Sequence, residues 1–244
     1  MLIKQLSLYL TLICISICAQ AETYVVIAGV SDYQHISDLH LPEKDALAVA
    51  ELYKTRTENV ITITGKYATK KNIINALSSQ FARAKTNDQI VFFFSGHGFP
   101  GGICPYDIKR DGNEITYKEI LSIFKRSKAK TKIIFADACF AGGLRSSGNT
   151  STHASNEIRN ANVMLFLSSR SNESSIENTL MANGYFTTFL LRGLKGGADS
   201  DRNRIITAKE LFNFVYNGVK QKSNDKQHPV MWGKFDDNFT VIKW

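Results

Sequence analysis

A histidine and a cysteine that each follow a short apolar run are the residues of this sequence best suited to catalysis. His97 lies in the segment SGHG, directly after the run QIVFFF at 89–94, and Cys139 lies in DACFAGG, directly after the run KIIFA at 132–136. A thiolate is a strong nucleophile, and a nearby imidazolium favours the thiolate over the thiol. The same imidazole can then protonate a leaving amine. The pair therefore predicts acyl transfer, with Cys139 as nucleophile and His97 as general acid and base.

Glycines flank both residues and let a substrate approach the backbone closely. We predict that the backbone N–H groups of Gly98 and Cys139 bind the oxyanion that forms when the thiolate attacks a carbonyl group. Each residue also has a purely structural interpretation, because an isolated cysteine is usually a small buried hydrophobe and an isolated histidine is usually a loop residue. A zinc site formed by Cys104, Cys139 and His97 is a further alternative, but the sequence offers no CxxC pair to support it.

The elements that must position these residues follow from the hydrophobic pattern. Apolar runs rich in β-branched residues predict strands, and periodic apolar stripes behind capping residues predict helices. Predicted strands cover 24–30, 60–64, 89–94, 132–136 and 163–167, with a last edge strand at 239–242. Predicted helices cover 42–54, 69–84, 116–126, 186–194 and 207–220. Strands and helices alternate and the middle strands are apolar throughout, which predicts an α/β fold with a mainly parallel sheet between helices.

Ligands of such sheets bind beyond the carboxyl ends of the strands. His97 and Cys139 both follow strand ends, so they meet at one edge of the sheet if their strands are neighbours. The 244 residues are 43% hydrophobic and 21% charged, which suits a single domain with a substantial core.

The net charge of the chain is +8, a balance that first suggests nucleic acid as a partner. The basic residues are scattered, however, and no aromatic–basic stripe or nucleic-acid motif occurs. We therefore predict a solvated basic surface and no nucleic-acid binding.

The first 21 residues have the pattern of a secretory signal peptide. Lys4 is followed by an apolar run at 6–18 and by Ala-Gln-Ala at 19–21, which predicts cleavage before Glu22. A permanent membrane anchor is the alternative, although the run is short for a bilayer span. We expect an exported protein, periplasmic or secreted, whose domain covers 22–244 and has no stable membrane insertion after cleavage.

Cleavage would leave two cysteines, Cys104 and Cys139, which is too few for a disulfide scaffold. Either one thiol serves a reaction or the two are bonded, and the sequence alone does not separate these possibilities. A bond between them would switch the nucleophile off in an oxidising compartment.

The segments FFFSGHG at 92–98 and DACFAGG at 137–143 resemble the histidine and cysteine loops of the caspase/metacaspase family of cysteine peptidases. The resemblance extends over about residues 24 to 244. ICPYD at 103–107 is similar to the segment that follows the histidine in metacaspases, and SSRSNE at 168–173 and GYFT at 184–187 are similar to the small-subunit region. The resemblance implies a three-layer α-β-α caspase-like fold with a six-stranded sheet, and cysteine-type endopeptidase activity with His97 and Cys139 as the dyad.

The same resemblance implies a specificity. Caspases have Gln-Ala-Cys at the nucleophile and cleave after Asp, whereas metacaspases have an Asp two residues before the cysteine and cleave after Arg or Lys. Asp137 holds that position here, so we expect protein or peptide substrates with basic residues. Asp45 resembles a second acidic residue of the same pocket, which Ser95 and Ser169 would also line. The alternative for Asp45 is a solvated residue in the first turn of a helix, where acids are favoured anyway.

No metal or other cofactor is predicted. Many metacaspases have an acidic calcium-binding insertion after the histidine loop, but only FPGG separates that loop from ICPYD here, so we do not expect calcium dependence. Asp199, Asp201, Asn203 and Glu210 match the spacing of an EF-hand loop, except that Arg204 replaces the turn glycine. Because no clear helix is predicted directly before this segment, we interpret it as a polar turn that caps the next helix.

The polar segment 145–160 lies where caspase relatives are cut between subunits, and its Arg145 and Arg159 would suit a basic specificity. A plain connecting loop is the alternative. A catalytically inactive caspase-like domain that binds or regulates a partner is the competing function for the whole chain.

Overall fold

The computed structural model describes residues 21–99, 101–109, 112–138, 163–169, 182–233, 236 and 238–243. Its strands are β1 (Thr23–Gly29), β2 (Val60–Thr64), β3 (Gln89–Ser95), β4 (Gly98–Phe99), β5 (Gly102–Ile103), β6 (Ile115–Thr116), β7 (Thr131–Asp137), β8 (Met164–Leu167), β9 (Ile205–Thr207), β10 (Val230–Trp232) and β11 (Thr240–Lys243). Its α-helices are α1 (Pro42–Lys54), α2 (Lys70–Ala82), α3 (Tyr117–Arg126), α4 (Tyr185–Arg192) and α5 (Ala208–Lys222). A 3₁₀ turn spans Gly65–Tyr67 and a π-helical turn spans Gly193–Gly197.

Six strands form the central sheet in the order β10-β8-β7-β3-β1-β2. All neighbouring pairs are parallel except β10 with β8. The predicted α/β class and the mainly parallel six-stranded sheet are therefore confirmed. Parallel neighbours need crossover connections, and the helices that provide them cover both faces of the sheet.

The alternation of side chains along each strand divides the core into two layers. Val26 of β1 and Phe92 of β3 face one layer, which holds the buried side chains of α2 and α3. Val25 and Phe93 face the other layer, which holds those of α1, α4 and α5. Both faces of the middle strands are buried, which explains why these strands are apolar throughout.

The predicted last edge strand at 239–242 does form, as β11, but it does not belong to the central sheet. Strand β11 pairs with β9 in a separate two-stranded sheet, and the antiparallel edge of the central sheet is β10. Strand β10 has three half-buried residues, too few for a periodic pattern to be read from the sequence.

The register of the middle strands fixes where the predicted site residues leave the sheet. Ser95 at the end of β3 lies opposite Asp137 at the end of β7, and Gly29 at the end of β1 lies opposite Ser95. The carboxyl ends of three neighbouring strands therefore meet at one edge. Helix α1 approaches this edge so closely that a Cβ on Gly29 would lie 2.5 Å from the Pro42 carbonyl oxygen.

Within the described ranges, no helix is both long and apolar enough to cross a lipid bilayer. Residues 1–20 of the predicted signal peptide lie outside those ranges, as does the whole polar segment 145–160. Export of the protein and cleavage within the segment 145–160 therefore stay predictions.

Candidate active site

His97 follows β3 by two residues, and its imidazole is oriented by a backbone carbonyl. The ring atom Nε2 lies 2.9 Å from the Ser37 carbonyl oxygen. A carbonyl oxygen can only accept a hydrogen bond, so Nε2 carries the proton. Nδ1 is therefore the ring nitrogen that can take a proton from a thiol and later return it to a leaving group.

The Ser37 carbonyl belongs to the loop 31–41, which is braced by hydrogen bonds within the loop and by one directly before it. Val30 N–H donates to the Ser95 carbonyl at 3.1 Å, and Leu39 N–H donates to the Ser31 carbonyl at 2.8 Å. Tyr33 N–H donates to the Asp38 carboxylate at 2.8 Å, directly beside Ser37. This loop is thus a fixed support for the imidazole rather than a free surface segment.

Cys139 itself lies outside the described residues, so its distance from His97 is not part of this structure. The described chain ends at Ala138, whose backbone is bound on both sides by Ser168. The Ser168 hydroxyl accepts a hydrogen bond from Ala138 N–H at 3.1 Å and donates to the Ala138 carbonyl at 3.2 Å. Because Ser95 and Asp137 are register partners, the chain leaves both strands at one edge, two residues before His97 and two residues before Cys139.

Asp45 lies in the first turn of α1 but is only 2% exposed, so the solvated alternative for this residue does not hold. Its Oδ1 accepts hydrogen bonds from Asn183 Nδ2 at 2.9 Å and from Gly184 N–H at 3.0 Å. Its Oδ2 accepts from the Ser95 hydroxyl at 2.9 Å. These three donors fix the carboxylate between β3 and the start of α4.

Asp137 points at the same place from the end of β7. Its Oδ2 accepts from the Thr187 hydroxyl at 2.8 Å and from Thr187 N–H at 3.2 Å. A Cβ on Gly184 would lie 2.8 Å from Asp137 Oδ2 and 3.4 Å from Asp45 Oδ2, so the two carboxylates are close neighbours. Glycine at 184 lets the backbone before α4 approach the two carboxylates this closely. We call Asp45 and Asp137 the acid pair.

Burial strongly raises the pKa of Asp45, and the charge of Asp137 raises it further, to about 8. Hydrogen bonds from Asn183, Ser95 and Gly184 oppose this rise without cancelling it. Ionisation of both carboxylates costs free energy because their negative charges repel each other. A bound cation stabilises both charges, so this site favours a cation.

This raised pKa predicts a pH dependence of stability. The folded protein holds the Asp45 proton more tightly than the unfolded chain, whose value is near 3.8, so its favourable contribution is complete below that pH and is lost as the pH rises towards about 8. In the wild type, the free energy of unfolding should therefore fall by up to about 1.4 kcal/mol per pH unit over this range. In Asp45→Asn we expect this fall to be absent. Urea unfolding of both proteins between about pH 5 and pH 8 measures this difference, and parallel curves would contradict it.

The remaining predicted site residues lie near this edge. Ser95 is buried against Asp45, and Ser169 is fully buried just after β8. Gly98 pairs with Ile103 in β5, and the bond from Cys104 N–H to the His97 carbonyl shows that this is a non-hydrogen-bonded pair. Gly98 N–H thus points away from β5, as an oxyanion donor requires. The roles of these residues stay predictions.

Sequence reasoning missed four residues that hold the site together. Tyr33 contacts His97, Ser168 binds the residue before Cys139, and Asn183 and Thr187 hold the acid pair. The two donors that reach Asp45 from the residues directly before α4 are 138 and 139 residues away in the chain. Single hydroxyl and amide residues have no periodicity, so only the family-like segments at 168–173 and 184–187 marked their surroundings.

The acidic segment 199–210 differs from the prediction in the element that precedes it. Helix α4 and the π-helical turn run to Gly197, so a helix does lie directly before the segment. Side-chain oxygens of Asp199, Asp201 and Glu210 lie within 4.8 Å of one another. Glu210 also accepts from Thr207 N–H at 3.0 Å, and this capping box confirms that the segment caps α5. Its hydrogen bonds lower the pKa of Glu210 to about 2.

Cys104 is buried, and burial raises the pKa of its thiol to about 11. A thiol with such a pKa carries little thiolate near neutral pH and reacts slowly. Whether it bonds to Cys139 stays open, because Cys139 is outside the described part of the chain.

Comparison with known proteins identifies the class. A family model described as the caspase domain matches residues 22–240, and the chain belongs to that family. No curated protein matches the chain significantly. The crystal structure of protein GSU0716 from Geobacter sulfurreducens is similar with a TM-score of 0.65 and 19% sequence identity, over 91% of this chain and 97% of that chain. At this identity, the likeness shows a shared fold.

Proposed function

We propose that the chain is a cysteine endopeptidase that cleaves peptide bonds after Arg or Lys. The acid pair carries this proposal, since two buried carboxylates at the edge of the sheet favour a guanidinium or ammonium group and disfavour an acidic side chain. Cys139 follows Asp137 by two residues, so a side chain bound at the acid pair brings its own peptide bond to the nucleophile loop. The substrates in this proposal are proteins or peptides with basic residues.

The reaction follows from the chemistry of a thiol and an imidazole. The Cys139 thiolate attacks the carbonyl carbon, and the N–H groups of Gly98 and Cys139 stabilise the oxyanion. His97 Nδ1 protonates the leaving amine as the C–N bond breaks, which leaves a thioester on Cys139. Water then hydrolyses the thioester, with His97 as general base. The Ser37 carbonyl at Nε2 supports the imidazolium that forms in each step.

No cofactor takes part in this proposal, and calcium is not required. The protein is proposed to act after export, in a periplasm or outside the cell. The competing function is that of an inactive caspase-like domain that binds a partner. Such a domain would have the same fold but would not hydrolyse peptides.

Hydrolysis of short reporter peptides by the reduced full-length protein tests the proposal. We expect turnover of Arg-ended and Lys-ended peptides, with Asp-ended peptides at least about 100-fold slower, because a like charge at a buried site costs several kcal/mol. Rates with calcium and with a chelator should be equal. Cys139→Ala is the matched control and should show no turnover.

The outcomes separate the alternatives. Absence of turnover by the reduced wild-type protein would favour the binding domain. Preferred cleavage of Asp-ended peptides would contradict the assignment of the acid pair, and activation by calcium would contradict the cofactor proposal.

A further inference from the structure

Tyr33 contacts His97 in two ways that the dyad mechanism alone does not require. The backbone N–H of His97 donates a hydrogen bond to the Tyr33 hydroxyl at 2.6 Å. The two rings lie 5.0 Å apart between centroids and are tilted by 45°. One side chain thus contacts both the backbone and the imidazole of the predicted acid/base residue.

Gly96 adapts the chain to this contact. A Cβ at position 96 would lie 2.6 Å from the Tyr33 hydroxyl and 2.8 Å from Phe94 Cζ. The φ angle of Gly96 is 155°, which side chains rarely adopt. Only glycine therefore lets the Tyr33 hydroxyl reach the amide of the next residue, and the glycine before the histidine serves this approach.

Tyr33 is itself held firmly. Its side chain is 8% exposed and belongs to the buried core cluster, and its backbone N–H is bound by the Asp38 carboxylate at 2.8 Å. The same loop presents the Ser37 carbonyl to His97 Nε2. Loop 31–41 therefore holds the histidine at three points, which are its amide, its ring face and one ring nitrogen.

We propose that Tyr33 is a positioning residue that fixes His97 with Nε2 on the Ser37 carbonyl, which leaves Nδ1 as the ring nitrogen for proton transfer. The hydroxyl fixes the backbone from which the ring projects, and the aromatic ring limits rotation of the imidazole. A misplaced imidazole would pair the wrong nitrogen with the nucleophile, and small errors of placement are costly in catalysis. The effect on turnover rests on the proposed peptidase function, whereas the positioning itself does not.

The test compares the full-length wild type with Tyr33→Phe, which removes only the hydroxyl. On Arg-ended peptides we expect kcat to fall about tenfold with KM within about twofold, because the acid/base step is affected and binding is not. Nitrogen-15 spectra of labelled histidine, recorded at alkaline pH in a Cys139→Ala background so that no thiolate keeps the imidazole protonated, should show one Nε2–H tautomer of His97 with Tyr33 present and a mixture with Tyr33→Phe. Tyr67→Phe is the control, since Tyr67 is 65% exposed.

The tautomer measurement does not depend on enzyme activity. Failure of the proposed peptidase function and failure of the proposed role of Tyr33 can therefore be distinguished. An inactive wild type would remove the proposed function and leave the tautomer result standing. A single Nε2–H tautomer in Tyr33→Phe would overturn the role of Tyr33. Hydrogen exchange of the wild-type His97 amide is a second measurement that needs no variant. Slow exchange supports the bond to Tyr33, and exchange as fast as in an open loop would overturn it.

Discussion

Replacing His97 by Ala is expected to lower kcat on Arg-ended peptides by about 10³-fold while KM changes little. The imidazole has two tasks in the proposed mechanism, to keep the thiol ionised and to protonate the leaving amine. Its Nε2 is committed to the Ser37 carbonyl, so the chemistry depends on Nδ1. Steady-state kinetics of the variant measures the loss. His35→Ala is the matched control, because His35 is an exposed residue of loop 31–41.

The same variant can be examined without a peptide substrate. Alkylation of Cys139 near neutral pH should be much slower in His97→Ala, since the imidazolium that favours the thiolate is gone. Peptide-level mass spectrometry separates this signal from Cys104, whose raised thiol pKa keeps it slow in both proteins. Equal alkylation of Cys139 in the two proteins, together with equal kcat, would show that the two residues do not work as a dyad.

The strand ends could be predicted from the sequence because two physical rules act together there. Parallel strands buried on both faces must be apolar throughout, which marked β3 and β7. Reactive residues directly after such runs lie at the carboxyl edge, and the register of Ser95 with Asp137 places both loops at that edge. The helix bounds followed equally well where capping residues were present, as at Thr116 and Thr207.

The supports of the site could not be predicted, because they depend on contacts between distant segments. Thr187 and Asn183 meet the acid pair only when α4 packs beside the ends of β3 and β7. In the sequence, Tyr33 is an ordinary aromatic residue of a predicted loop. Its role depends on the contact that it makes with His97 in the folded protein. Strand β10 was missed for a local reason, since three half-buried residues carry no periodic signal.

Removing the acid pair one carboxylate at a time is expected to reveal that its two members share their negative charge. The pKa of Asp45 is raised to about 8, partly by the charge of Asp137, so near neutral pH the pair carries about one charge rather than two. In Asp137→Asn, Asp45 loses this repulsion and ionises more easily. In Asp45→Asn, Asp137 loses a carboxyl neighbour. Burial still raises the pKa of Asp45, but a bound guanidinium favours its charged form, so each single variant can still present one negative charge to a basic side chain.

We expect kcat/KM for an Arg-ended peptide to fall about tenfold in each single variant and about 10³-fold in the double variant, where no charge remains to pair with the guanidinium. The double loss thus exceeds the product of the single losses, as for residues that substitute for each other at one site. A Leu-ended peptide and the alkylation rate of Cys139 should stay nearly unchanged, and Asp32→Asn, an exposed loop residue, is the control. An undiminished preference for Arg in the double variant would place the specificity pocket elsewhere. Single losses as large as the double loss would instead mean that both charges contact the substrate at once.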